Sequence, residues 1–206
     1  MKRLRPLATL LLLGLSAPAG AGVPDREATI IVASGMSVGV ERATFFDDGG
    51  LIALGVRNST YEVARPRIRV VVFDERGGLR GTVAYCAGLV QPGTRQPLVI
   101  PLEIKGASTR DRFVVFVEEV LTPRRAYTLR EPLEAALREA RKSIDARGWD
   151  LTLREAPRSG DIPDCPCDCA AAEQLAVGAC GAGALQAYTC TPMAPGCSEG
   201  ASCKER

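Results

Sequence analysis

Histidine is absent from this 206-residue chain, tryptophan occurs once and lysine only four times. Without an imidazole, no serine or cysteine nucleophile can have the usual histidine base, and a zinc site would rest on sulfur and carboxylate alone. No Cys-x-x-Cys pair occurs, which removes the common redox motif and the usual zinc-knuckle spacing. Aromatic residues make up only 5% of the sequence, too few to line a surface with stacking platforms for nucleic-acid bases. Beyond the first residues there is no apolar run long enough to span a bilayer.

What is present starts with an export pattern. Lys2, Arg3 and Arg5 form a basic start, Leu7 to Leu15 an apolar stretch too short for a membrane span, and Ala17, Ala19 and Ala21 the small residues of a cleavage site. The expectation is a signal peptide over residues 1–21 and no membrane span after its removal. No cysteine lies near the cut, so a lipid anchor is not expected. Cleavage leaves 23 basic against 24 acidic residues, without the basic excess that draws a protein to nucleic acid. The expected location is extracytoplasmic, either periplasmic or secreted.

Residues 26–127 read as short strands separated by turns. The candidates are 28–33, 42–46, 51–58, 66–74, 79–86, 98–104 and 112–120. Ile52, Leu54 and Val56 share one face of their strand, as do Ile68, Val70 and Val72, and Leu98, Ile100 and Leu102. Turn formers lie between them, at Asp47 to Gly50, Asp74 to Gly78, Gln91 to Gly93 and Gly106 to Ser108. Seven strands without intervening helices predict a mainly β chain with an Ig-like antiparallel sandwich. The segment Phe113 to Val117 is apolar on both faces and is expected to be a central strand.

Residues 131–154 are expected to form one amphipathic helix and a short strand packed on the sandwich. Leu133, Ala136, Leu137, Ala140 and Ile144 fall on one stripe, Pro132 suits the first turn and Gly148 the exit. The helix is read as a lid over an open sheet edge. Trp149, Leu151 and Leu153 alternate as the short strand. A linker over 155–168 and a small cysteine-rich, disulfide-stapled tail over 165–203 complete the expected organisation.

The stretch from Leu51 to Thr60, with Gly55, Val56 and Asn58 at a strand end, is followed by an alternating strand that closes on Phe73 and Asp74 before a turn. Together with the Gln91-Pro-Gly93 turn, this resembles the FxLYD family, Ig-like sandwich modules of exported or envelope-attached prokaryotic proteins. Val70 and Val72 stand where that family has Phe and Leu. The resemblance covers the middle third of the chain and implies a fold and an extracytoplasmic habit. It brings no catalytic residue. The residues carry their own reading beside it: Asn58 can bond local backbone at the strand exit, and Asp74 can cap the turn before Gly77.

Gly35-Met-Ser37-Val-Gly39 has the spacing of a serine-hydrolase elbow. It lacks the strand-turn-helix context and the histidine, so no catalytic residue is assigned and the protein is expected not to be an enzyme. Asp161, Asp164 and Asp168 have no calcium-loop spacing. Arg65, Arg67 and Arg69 project from one side of their strand. They are a candidate anion-binding stripe for envelope polymer, set against a plainer reading as a solvated face that resists aggregation. Cys86, Cys165, Cys167, Cys169, Cys180, Cys190, Cys197 and Cys203 are all disulfide candidates, because export favours oxidation and eight cysteines can close four bridges. One scheme pairs Cys165, Cys167 and Cys169 with cysteines downstream and leaves Cys86 to staple the tail to the sandwich. The alternative is a thiol-based function, with Cys165, Cys167 and Cys169 holding zinc or another thiophilic metal, or exchanging disulfides. No other cofactor is expected. The expected role is a structural module, or one that binds an unknown protein or envelope component.

Overall fold

A computed structural model describes residues 28–29, 35–46, 49–133, 135–138, 153–163, 165, 169–181, 183–193 and 196–204. The expected signal peptide, Trp149, Leu151, Ala140, Ile144 and the gaps between these ranges lie outside the described residues.

Two sheets form the sandwich. The small one has the order β2-β3-β6, from β2 (Met36–Phe46), β3 (Gly49–Asn58) and β6 (Arg95–Leu102). The large one contains β4 (Arg65–Phe73), β5 (Leu79–Cys86), β7 (Arg112–Leu121) and β8 (Arg125–Leu129), flanked by β9 (Leu153–Pro157), β10 (Leu185–Met193) and β11 (Gly196–Cys203). Its order is β10-β11-β5-β4-β7-β8-β9, and β1 (Ala28–Thr29) pairs with β7 in parallel. The chain thus crosses between sheets after β1, β3, β5 and β6. Three strands lie against four in the mainly β, Ig-like class that the alternation predicted. β8 adds a strand to the candidates, and the expected strand over 28–33 is described only at Ala28–Thr29.

The alternation also explains the core. Met36, Val38, Ile52, Leu54, Ile100 and Leu102 face Ile68, Val70, Val72, Val83, Phe113 and Val115 across the gap, in one buried cluster. Phe45 and Phe113 meet across it with ring centroids 5.6 Å apart. β7 lies between β4 on one side and β8 and β1 on the other, so Phe113 to Val117 is buried on both faces, as its two-sided apolar pattern requires.

The large sheet is also covered on its outer face. Val71, Phe73, Val114 and Phe116 point away from the sandwich gap and pack with Ala136 and Leu137. Residues 133 and 135–138 are helical, and this turn lies on a sheet face, not on the open edge expected of it. The edge beyond β8 is taken by β9, which falls later in the chain than the strand expected around Trp149.

The C-terminal cysteine region joins the large sheet. β10 and β11 form a hairpin whose second strand pairs antiparallel with β5, from Ser198 opposite Tyr85 to Ser202 opposite Gly81. A tail helix, Cys169–Cys180, precedes the hairpin and packs on β10, β11 and β5.

Candidate functional site

Alternation along β4 puts Arg65, Arg67 and Arg69 on the face opposite Ile68 and Val70. β7 presents Glu118 to the same face, β5 presents Thr82, and β11 brings in Glu199 from the tail. The Arg67 Nε donates to Glu118 Oε1 at 2.7 Å and one of its terminal nitrogens donates to Glu199 Oε1 at 2.7 Å. The Arg69 Nε donates to Glu118 Oε2 at 2.5 Å, and Arg69 Nη1 to Thr82 Oγ1 at 3.1 Å. Arg65 donates to the backbone carbonyl of Pro163. One carboxylate therefore bridges two guanidiniums, and a second, from a strand 132 residues further on, closes the row.

Burial acts against charge here and the pairing outweighs it. Desolvation pulls the Arg67 guanidinium down, but Glu118 and Glu199 beside it raise it above its usual value. Burial likewise favours a neutral Glu118, and Arg69 and Arg67 overcome it, holding that carboxyl below the usual carboxylate range. The neighbouring Glu119 has less compensation, and burial raises it.

The arginine stripe is therefore neither a free polyanion site nor a solvated strand face. Arg65 and Arg69 are buried, Arg67 is mostly so, and each is engaged by groups of this same chain. The tail covers them. A cavity of about 10 Å³, at the threshold for one water, remains between Arg69, Thr82, Ala176, Tyr188 and Glu199. It is too small for an organic ligand.

Three disulfides hold that cover in place. Cys86, the last residue of β5, is bonded to Cys165, with Cα atoms 6.3 Å apart. Cys169 at the start of the tail helix is bonded to Cys190 in β10 across 5.8 Å, and Cys180 at its end to Cys203 of β11 across 5.3 Å. Each end of the helix is thus fastened to one strand of the hairpin, and Tyr188 Oη donates to the Cys169 carbonyl at 3.1 Å. Cys86 staples the tail to the sandwich through Cys165, which reaches back along the chain and not downstream. Cys180 and Cys203 pair with each other. The disulfides remove two of the three thiolates that a metal site at Cys165, Cys167 and Cys169 would need. Cys167 lies outside the described residues, as do Asp164 and Asp168. Among the described residues no group of three or more metal-ligating side chains gathers.

Elsewhere, Ser37 of the elbow-like sequence sits in β2 between the buried Met36 and Val38, with no helix following. Compared with family models and with curated proteins, the chain matches none. The geometry assembles a disulfide-stabilised β-sandwich whose buried charges hold its own parts together. Three intramolecular disulfides belong to an oxidising compartment. No described helix is long and apolar enough to cross a membrane.

Sequence reasoning missed Glu118 and Glu199. Glu118 interrupts the apolar run of β7 on the arginine side, a signal visible in retrospect. Glu199 stands in a stretch without β pattern, so nothing local marked it.

Proposed function

We propose that the chain is an exported, FxLYD-like, non-enzymatic module of the periplasm or secreted space, with a structural role or one in binding a protein or envelope component. The observation that carries this reading is the set of three disulfides, two fastening the tail helix to the C-terminal hairpin and one fastening the tail to β5. Such bridges persist outside the reducing cytoplasm, and here they serve a static end, fixing a cover over buried ion pairs. The N-terminal pattern of basic start, short apolar stretch and small residues supports export. The local chemistry of the FxLYD-like positions supports the resemblance: Asn58 holds the strand end, and Asp74 Oδ1 accepts from the backbone N–H of Arg76 and Gly78 at 2.8 and 2.7 Å.

The test is intact mass of the exported protein, without reductant, before and after alkylation. Loss of residues 1–21, a mass eight hydrogens below the reduced form and no alkylation are expected. Retention in the cytoplasm with the leader attached would overturn export. Alkylatable thiols, or mass that leaves on acidification as a metal does, would move the tail to the centre of the function.

A further inference from the structure

Among the described residues none covers the outer face of the small sheet, and its exposed centre is apolar where a water-facing antiparallel sheet is ordinarily polar. Strand register places Leu51 opposite Pro101 and Ala53 opposite Val99, two successive cross-strand pairs without a polar side-chain atom. Phe46 continues the strip at the end of β2. Phe46, Leu51 and Val99 are 58%, 40% and 55% exposed, and they are three of the six exposed large hydrophobic residues among the described residues. Half of that set thus shares one face of three strands, the kind of concentration that marks a contact surface.

The rim is basic. Arg42 is opposite Ala53, and Arg57 is opposite Arg95, a like-charge pair that Glu41 of β2 answers at Arg95. All three arginines are exposed, and Glu41, paired with Arg95 at 2.6 Å, is the acid among them. That pair lies flat across Gly55: a Cβ there would stand 2.5 Å from both Arg95 Nε and Glu41 Oε1. The face is consequently low in relief.

Its size and edges narrow the occupant. Three strands of eight to eleven residues make a face roughly 14 Å wide and about 26–36 Å long. A second copy would need about 800 Å² per partner, near twice that footprint, and would bring arginine rims together. Strand addition is hindered, because Pro97 and Pro101 remove N–H groups from the β6 edge and the register of β2 shifts between Val40 and Arg42. A helix about 10–12 Å across fits the width. The other sheet of this molecule is already covered in that way, by Ala136 and Leu137 of a helical turn.

We propose that the outer face of β2, β3 and β6 docks an amphipathic helix of a partner protein, its apolar stripe on Leu51, Ala53 and Val99 and its acidic flanks on Arg42 and Arg57. This rests on the reading of the chain as a binding module and names the surface and the partner's chemistry. The probe is a synthetic helical peptide of about 18 residues with a Leu/Ala stripe flanked by Glu, and its control carries Lys in the flanks. Both are titrated by calorimetry into the mature, disulfide-bonded protein. The Glu-flanked peptide is expected to bind, about tenfold or more tighter than the control, and to weaken with salt. Val99→Glu, and separately Arg42→Glu with Arg57→Glu, should each weaken it about tenfold or more, with the thermal midpoint unchanged because these side chains are exposed.

Failure of the peptide to bind, equal binding of the two peptides, or binding indifferent to Val99→Glu would overturn the proposal. So would association with phosphatidylglycerol vesicles in place of the peptide, or a concentration-dependent dimer abolished by Val99→Glu. None of these results alters the thiol count or the leader cleavage on which the broader reading stands, so the two can fail separately.

Discussion

At Asn58 a single side chain satisfies two loops. Its Nδ2 donates to the carbonyls of Glu62 and Val90 at 2.8 and 2.9 Å, and its Oδ1 accepts from the Thr60 N–H and hydroxyl at 2.9 and 2.6 Å. The residue is 0% exposed, so the Asn-Ser-Thr sequon it begins is closed to glycosylation in the folded protein. Asn58→Ala should lower stability by about 2–4 kcal/mol, read by chemical denaturation, because buried carbonyls lose their donors. Asn58→Asp should fare no better, since it keeps the shape and loses both donors; a neutral result for Ala would show that water replaces the amide. Glu118 makes a pH prediction. Its folded pKa lies below the ordinary value, so its contribution is complete above the ordinary carboxylate range and disappears as pH falls through the lowered folded value. Asp111 and Glu119, raised by burial, act in the opposite sense: protonating them in mild acid favours the fold. Stability should therefore hold or rise slightly from neutral into mild acid and fall only in stronger acid. Glu118→Gln should cost about 3–5 kcal/mol at neutral pH by leaving two buried guanidiniums without their shared carboxylate. That deficit should shrink in strong acid, and a deficit constant with pH would exclude the ion pairs as its source. Asp74, and the Thr60 and Glu62 half of the Asn58 network, were legible in the sequence because those partners lie within a few residues; the Val90 carbonyl, 32 residues on, was not. The fate of Arg67 was not, because Glu199 comes from 132 residues away.

The elements divide the same way. β3, β4, β5 and β7 follow from strict alternation or from a two-sided apolar run, and the structure extends them by no more than two residues at either end. β10 and β11 carry no such pattern: Gly196 to Cys203 contains two glycines and no β-branched residue. Their strand conformation comes from pairing with each other, from the pairing of β11 with β5 and from the bonds at Cys190 and Cys203, a case of tertiary context overriding local preference. The tail helix had a local signal that cysteine arithmetic obscured, the helix-favouring run from Ala170 to Leu175. What admits β11 is Gly81. A Cβ at that position would stand 2.1 Å from the backbone carbonyl oxygen of Ala201, which no rotamer change can relieve. Gly81→Ala should therefore loosen β11, at a cost of about 1–3 kcal/mol. Amide exchange should quicken at Gly200 to Ser202 and remain slow in β3 and β7. Acceleration spread evenly over both sheets would mean that the hairpin and sandwich open as one unit.

On the scale of the whole molecule, the core between the sheets contains no disulfide among the described residues, and the three bridges among those residues all tie in the C-terminal region. By chain entropy alone, the Cys86–Cys165 bond, closing 79 residues, is worth about 4–5 kcal/mol, and the 21- and 23-residue closures within the tail about 3 kcal/mol each. The tail has little apolar area to set against their loss: Ala176 and Ala201 are among its few buried hydrophobic side chains, whereas the sandwich buries three phenylalanines and the full aliphatic faces of β3, β4 and β7. Reduction should accordingly release the hairpin and tail helix first, with Glu199 leaving Arg67. The remaining sandwich would then present β5 as a newly bare edge. After full reduction and alkylation, limited proteolysis should cut within 165–203 while a fragment spanning residues 35–129 survives, and that fragment should aggregate more readily than the oxidised protein. Survival of the tail under the same digestion would mean that strand pairing with β5 and the Arg67–Glu199 bridge suffice without sulfur. Simultaneous loss of both regions would mean that the tail is an obligatory part of the sandwich, its hairpin being the strand pairing without which β5 does not hold.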